Sequence, residues 1–108
     1  MIKHFFYCAI AVLFACQSAE KNTAENEKLK VVCTTGMIAD AAAQIGGQYI
    51  EVQSLMGPGV DPHLYKASQG DLRLLSDADI IFYNGIHLEG KMGGIFKKLG
   101  LKKPVVAI

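Results

Sequence analysis

Apolar residues follow two periods along this chain, and the periods alternate. Leu29 to Thr34 (LKVVCT) is a short run rich in β-branched residues and predicts a buried strand. Behind it Ile38, Ala41, Ala42 and Ile45 recur at helical spacing; Thr34 or Thr35 stands where a helix cap belongs, and Gly46-Gly47 stops the helix. Tyr49 to Met56 (YIEVQSLM) predicts a second strand, broken by Gly57-Pro58-Gly59. Asp61-Pro62-His63 has the form of a helix N-cap followed by proline at the first helical position. Ser68-Gln69-Gly70-Asp71 restarts the helical pattern as a capping box with aspartate in place of glutamate. The helix that follows, Gln69 to Ser76, carries Leu72 and Leu75, and with them Leu74, to the core. Asp79 to Tyr83 (DIIFY) predicts a third strand, ended by Asn84-Gly85. Leu88, Met92, Ile95 and Leu99 share one face of a third helix, which Gly90, Gly93 and Gly94 each weaken by about 1 kcal/mol relative to alanine. Gly100 ends it, and Lys103-Pro104 leads into a fourth strand, Val105 to Ile108.

Strands that alternate with helices in this way define an α/β fold: an open parallel four-stranded sheet, right-handed crossovers, helices on both faces. The length, 108 residues, suits one domain and is short for two. An apolar share of 51 % is enough to form a core, and a net charge of +1 gives no electrostatic case for nucleic acid or an acidic partner. Lys97, Lys98, Lys102 and Lys103 form a small basic cluster, read as a solvated helix end and loop.

The N-terminus changes the picture from a bare domain to an exported one. Lys3 and His4 make a short charged segment, and Phe5 to Ala15 is an apolar run suited to a signal peptide (residues 1–15) and too short to span a bilayer as a helix. It ends Leu13-Phe14-Ala15-Cys16, which resembles a bacterial lipobox with a bulkier residue than usual at Phe14. Cys16 would then be lipidated and anchor the mature chain; the alternative is an ordinary signal peptide cleaved nearby. Gln17 to Lys28 (QSAEKNTAENEK) has almost no large apolar residue, so residues 16–28 read as a flexible tether. With Cys8 discarded and Cys16 acylated, only Cys33 remains, so no intrachain disulfide is available, and inside an apolar strand its thiol reads as inert.

The stretch Gly57-Pro58-Gly59-Val60-Asp61-Pro62-His63-Leu64-Tyr65 carries the clearest chemistry. It places an imidazole just past the exit of a strand, where side chains reach the crevice at the carboxyl ends of a parallel sheet. Imidazole is the commonest protein ligand for transition metals, and a ligating ring needs its second nitrogen held by a carbonyl or carboxylate. Asp61 is near enough to be considered, although an N-cap role explains it better; a lone histidine in a turn is otherwise a surface or capping residue. His87 reads as a helix-entry residue, Glu89 and Asp71 as solvated or capping, and Met37, Met56 and Met92 as core. Catalytic signatures are absent: there is no phosphate-binding glycine loop, no serine elbow, no paired cysteines at zinc-finger spacing, and no partner acid for Asp77 and Asp79. The chain does not read as an enzyme.

Three segments carry a family resemblance. They are Thr35-Gly36-Met37-Ile38-Ala39-Asp40, then Met56-Gly57-Pro58-Gly59-Val60-Asp61-Pro62-His63-Leu64-Tyr65, then Ala78-Asp79-Ile80-Ile81-Phe82-Tyr83-Asn84-Gly85-Ile86-His87-Leu88-Glu89-Gly90-Lys91-Met92. In this order they closely resemble the zinc/manganese solute-binding lipoproteins of bacterial ABC transporters, from about Leu29 onward. The resemblance implies two α/β lobes joined by one long helix, with Zn2+ or Mn2+ held between them and delivered to a membrane permease. It makes His63, in the Asp-Pro-His-Leu-Tyr motif, the first metal ligand, and does not count His87 among the ligands. It further implies a membrane-anchored, extracytoplasmic protein, monomeric when complete. Family members are much longer, and their other ligands come from segments absent here. Residues 29–108 are therefore expected to be an incomplete N-terminal lobe, poorly stable by itself and unable to hold the ion tightly alone. The alternative reading is a lipid-anchored adhesion protein that binds a partner without metal.

Overall fold

The computed structural model describes residues 27–108. The expected signal peptide (1–15), the lipidation at Cys16 and nearly all of the tether (16–28) lie outside the described residues. The chain runs β1 (Leu29–Thr35), α1 (Gly36–Gly46), a 3-10 turn (Gly47–Tyr49), β2 (Ile50–Met56), α2 (Gln69–Asp77), β3 (Ile80–Tyr83), a second 3-10 turn (Gly90–Met92), α3 (Gly93–Leu99) and β4 (Val105–Ala107). All strand pairs are parallel, in the order β2-β1-β3-β4.

Handedness explains where the helices lie. The step from β1 to β2 moves one way along the sheet, and the steps from β2 to β3 and β3 to β4 move the other way. Right-handed crossovers then put α1 on one face and α2 and α3 on the opposite face. The core divides accordingly. Val31 and Cys33 of β1 pack with Ile38 of α1 and with Ile80 and Phe82. On the other face Val32 and Ile81 pack with Leu75 of α2, with Met92 just before α3 and with Phe96 within it. Alternate residues of one strand thus serve two cores, which is why Val31-Val32-Cys33 is apolar at every position.

Local departures from the sequence reading have local causes. Asp61-Pro62-His63 starts no helix. The Asp61 side chain accepts the His63 backbone N–H at 2.9 Å and its carbonyl accepts that of Leu64 at 3.2 Å, closing a turn instead. The helix waits for Ser68, whose capping box with Asp71 is complete. Thr35 precedes α1 without capping it through its side chain. Ile45 is 89 % exposed, because Ile50 fills the space under the end of α1, close against Gly46. Leu72 is exposed, and Leu75 with Leu74 makes the contact instead. The third helix is shorter than its apolar spacing suggests: residues 86–89 form turns, and α3 proper begins at Gly93.

Lys103 is not part of a solvated basic cluster. Its ammonium donates to the carbonyl oxygens of Leu75 (3.1 Å), Ser76 and Ala78. It ties the approach to β4 to the end of α2, where a helix leaves carbonyls without partners and favours positive charge. Lys103→Met, which keeps the stem and removes the donor, is expected to cost about 2 kcal/mol, read as a lowered Tm of the complete polypeptide.

Candidate metal site

The exits of β1, β2 and β3 form one rim of the sheet, and His63 lies on it. Between Met56 and Ser68 the chain makes two turns: Gly57 closes on Val60 at 3.3 Å, with Gly59 at φ 80, and Asp61 then closes on His63 and Leu64. The His63 ring stands clear of the lobe, 65 % exposed, with Nδ1 3.4 Å from Asp61 Oδ1. The Asp61 carboxylate therefore fixes the backbone of His63 and also faces its ring. A proton on Nδ1 toward Asp61 leaves Nε2 with its lone pair available to a metal ion.

The far end of the loop is fastened by Tyr65. Its hydroxyl donates to Asp71 Oδ2 at 2.7 Å and lies 3.3 Å from the Leu55 carbonyl oxygen. The same carboxylate oxygen accepts the Ser68 N–H and hydroxyl, each at 2.7 Å. Burial and the Asp71 carboxylate push the Tyr65 phenol up to about 12. For Asp71, burial works upward, but the donors from Tyr65 and Ser68 prevail and hold it below the usual carboxylate range. One side of this loop borders a cleft of about 440 Å3, walled by Thr35, Gly36, Met37 and Asp40 at the exit of β1 and by Met56 to Val60 and Pro62.

Glu89 is the residue that sequence reasoning missed. It is not solvated, and although it holds the N-cap position of the second 3-10 turn its side chain makes no cap bond: it is 4 % exposed and its carboxylate gathers donors from three places. Oε1 accepts the Thr34 hydroxyl at 2.5 Å, the Asn84 N–H at 2.8 Å and the Asn84 side-chain amide at 2.9 Å, and Oε2 accepts the Gly85 N–H at 3.2 Å. Burial raises its pKa, yet these donors outweigh burial and leave it lowered. The one local signal is the Asn-Gly pair four residues before it; the threonine partner lies 55 residues away in sequence.

The other candidates fall as follows. His87 is exposed in a turn at φ 61 and lines a groove of about 500 Å3 near α3 and β4. Burial pushes the Cys33 thiol up to about 11, as befits an inert core cysteine. Met56 and Met92 are core residues, whereas Met37 is exposed on the cleft wall. Asp71 caps, as expected, and Asp79 accepts the Lys30 N–H at 2.8 Å. Among the described residues no three of His, Cys, Asp or Glu gather into a metal cage.

A parallel lobe with an imidazole on its carboxyl rim has the form of one wall of a ligand cleft, as in a solute-binding protein. The family model described as ZnuA, zinc-uptake complex component A, periplasmic, matches residues 31–108, and the chain belongs to that family. It is 50 % identical over 104 residues to the manganese-binding lipoprotein MntA of Bacillus subtilis, covering 91 % of this chain and 34 % of the relative. It is 52 % identical over 88 residues to the zinc-binding protein TroA of Treponema pallidum, covering 82 % of this chain and 29 % of the relative. The structure of periplasmic zinc-binding TroA superposes with a TM-score of 0.72 at 55 % identity, over 74 % of this chain and 29 % of that one. The manganese-bound periplasmic metal-binding protein of Candidatus Liberibacter asiaticus gives a TM-score of 0.68 at 27 % identity, over 75 % and 30 %. This chain thus spans about a third of the length of the relatives it matches. Their names speak of metal binding, not of adhesion or catalysis.

Proposed function

We propose that this chain supplies the first lobe of a solute-binding protein that captures zinc or manganese outside the cytoplasm and passes it to an ABC permease. The observation that carries this is His63: exposed on the carboxyl rim, fixed by an Asp61 turn, with Nδ1 facing that carboxylate. Membership of the zinc-uptake family and the zinc- and manganese-binding relatives support the class of ion. The ion is cargo and must be released, which suits a site completed by closing one wall against another. One imidazole gives one donor, while zinc is usually four-coordinate. The remaining donors are assigned to segments of the complete protein outside residues 29–108, one in the rest of the first lobe and the others in a second lobe, and with them the choice between zinc and manganese. Acylated Cys16 and the tether 16–28 would keep the lobe near its permease, as suits a relative of lipoproteins.

The complete polypeptide, freed of residues 1–26, is the protein to test by titration calorimetry with Zn2+ and Mn2+. One ion per chain is expected, with a Kd of about 1 μM or tighter. Failure of both ions to bind saturably would overturn the reading.

A further inference from the structure

In open α/β sheets, ligands bind outside the carboxyl ends of two neighbouring strands whose following connections leave to opposite faces. Here those strands are β1, followed by α1, and β3, followed by α3. The crevice between them is filled by the protein itself. Glu89 occupies it and takes up four donors from Thr34, Asn84 and Gly85. No cation faces this buried carboxylate among the described residues, so hydrogen-bond donors rather than a partner charge offset its desolvation.

Two consequences follow from that anchoring. Gly85, Ile86 and His87 stand consecutively at φ 80, 48 and 61. A β-branched residue at positive φ is a true outlier, and such strain persists only where the surroundings impose it. Ile86 is 98 % exposed, so its own packing does not impose it; the Glu89 carboxylate, gripping the amides of Asn84 and Gly85 just before it, does. The Asn84 amide also reaches the hydroxyls of Thr34 and Thr35 at 3.4 and 3.3 Å, which locks the exit of β3 to the exit of β1. From Thr35 the chain runs directly into Gly36 and Met37, the wall that faces Pro62 across the cleft beside His63.

Taking the metal reading above as given, we propose that Glu89 is a positioning residue for the ion. By filling the β1–β3 crevice it keeps the ion on the β2 side, where His63 stands, and it holds the exits of β1 and β3 as one rigid wall. It touches no metal itself.

The test uses Glu89→Gln in the complete polypeptide, because glutamine keeps the shape but turns an NH2 group toward donors. The Kd for Mn2+ and Zn2+ is expected to rise about tenfold or more, the size typical of groups that orient metal ligands, and the electron paramagnetic resonance spectrum of bound Mn2+ to differ from wild type. Lys103→Met serves as the control, since it weakens the opposite, amino-terminal rim; it should lower Tm and leave Kd within about twofold. Equal loss of affinity in Lys103→Met would reduce the effect of Glu89 to general stability and overturn the proposal. A wild-type Kd and spectrum in Glu89→Gln, alongside lost binding in His63→Ala, would overturn the proposal while the metal site stands. Intact binding in His63→Ala would instead sink the site reading. If Glu89→Gln does not fold, Thr34→Val removes a single donor to the same carboxylate; a smaller loss of affinity is then expected, and an unchanged Kd overturns the proposal.

Discussion

His63→Ala in the complete polypeptide is expected to weaken Zn2+ and Mn2+ binding by about two to three orders of magnitude, roughly 2.5–4 kcal/mol. The figure follows from sharing a zinc-site binding energy of about 10–16 kcal/mol among four donors. Calorimetry on the variant and the wild type reads it directly. The change should be clean, because the ring is mostly exposed and packs in neither core cluster. The Asp61 turn that shapes the loop uses the backbone N–H of residue 63, which alanine retains. Tyr65 and Asp71 still fasten the far end of the loop. The apo Tm should therefore stay close to wild type, which separates loss of a ligand from loss of fold. A change of affinity under about fivefold, less than 1 kcal/mol, would mean that the ion is held elsewhere.

Much of this lobe is legible in its sequence because each strand must satisfy two cores at once. Val31-Val32-Cys33 and Ile80-Ile81-Phe82 are apolar at every position, since adjacent residues enter opposite clusters. The start of α2 is legible for a different reason: Ser68 and Asp71 satisfy orphan helix donors reciprocally, and they do so within four residues of chain. Asp61-Pro62-His63 misleads because an aspartate turn and a capped helix share their first bond, and only the residues after Leu64 decide between them. Ile45 misleads because helical period marks a face, not the point at which the helix runs out of sheet to cover. Glu89 and Lys103 are hidden more deeply. Each looks like an ordinary surface charge: Lys103 owes its place to carbonyls 25 to 28 residues back, and Glu89 joins nearby Asn84 and Gly85 to Thr34, 55 residues away, which only the folded sheet brings near. His63 stands in a motif whose resemblance points to a metal ligand, whereas Glu89 lies in the third resembling segment with no role attached to it.

Residues 27–108 produced alone are expected to melt without a cooperative transition and to bind a hydrophobic dye such as ANS. The sheet is the reason. Parallel strands are stable when both faces are covered, and here α1 covers β1 and β2 on its face while the β4 side of that face has no helix of the described residues over it. Val106, paired with Phe82, is exposed there, and so is Ile108 beyond it. The strand β4 is only three residues long and lies at an open edge, where unpaired backbone groups invite association between copies. The rim adds to the exposure: Met37, Val60, Leu64 and Ile86 all present apolar side chains on the His63 side of the sheet. A domain of this size buries a smaller fraction of its surface than a larger one and has little stability to spare for such patches. In the complete polypeptide a second wall and further helices would cover both regions, so hydrogen exchange at β3 and β4 should slow markedly relative to the isolated lobe. A sharp calorimetric transition of residues 27–108, with equal calorimetric and van't Hoff enthalpies, would show instead that the lobe is self-sufficient.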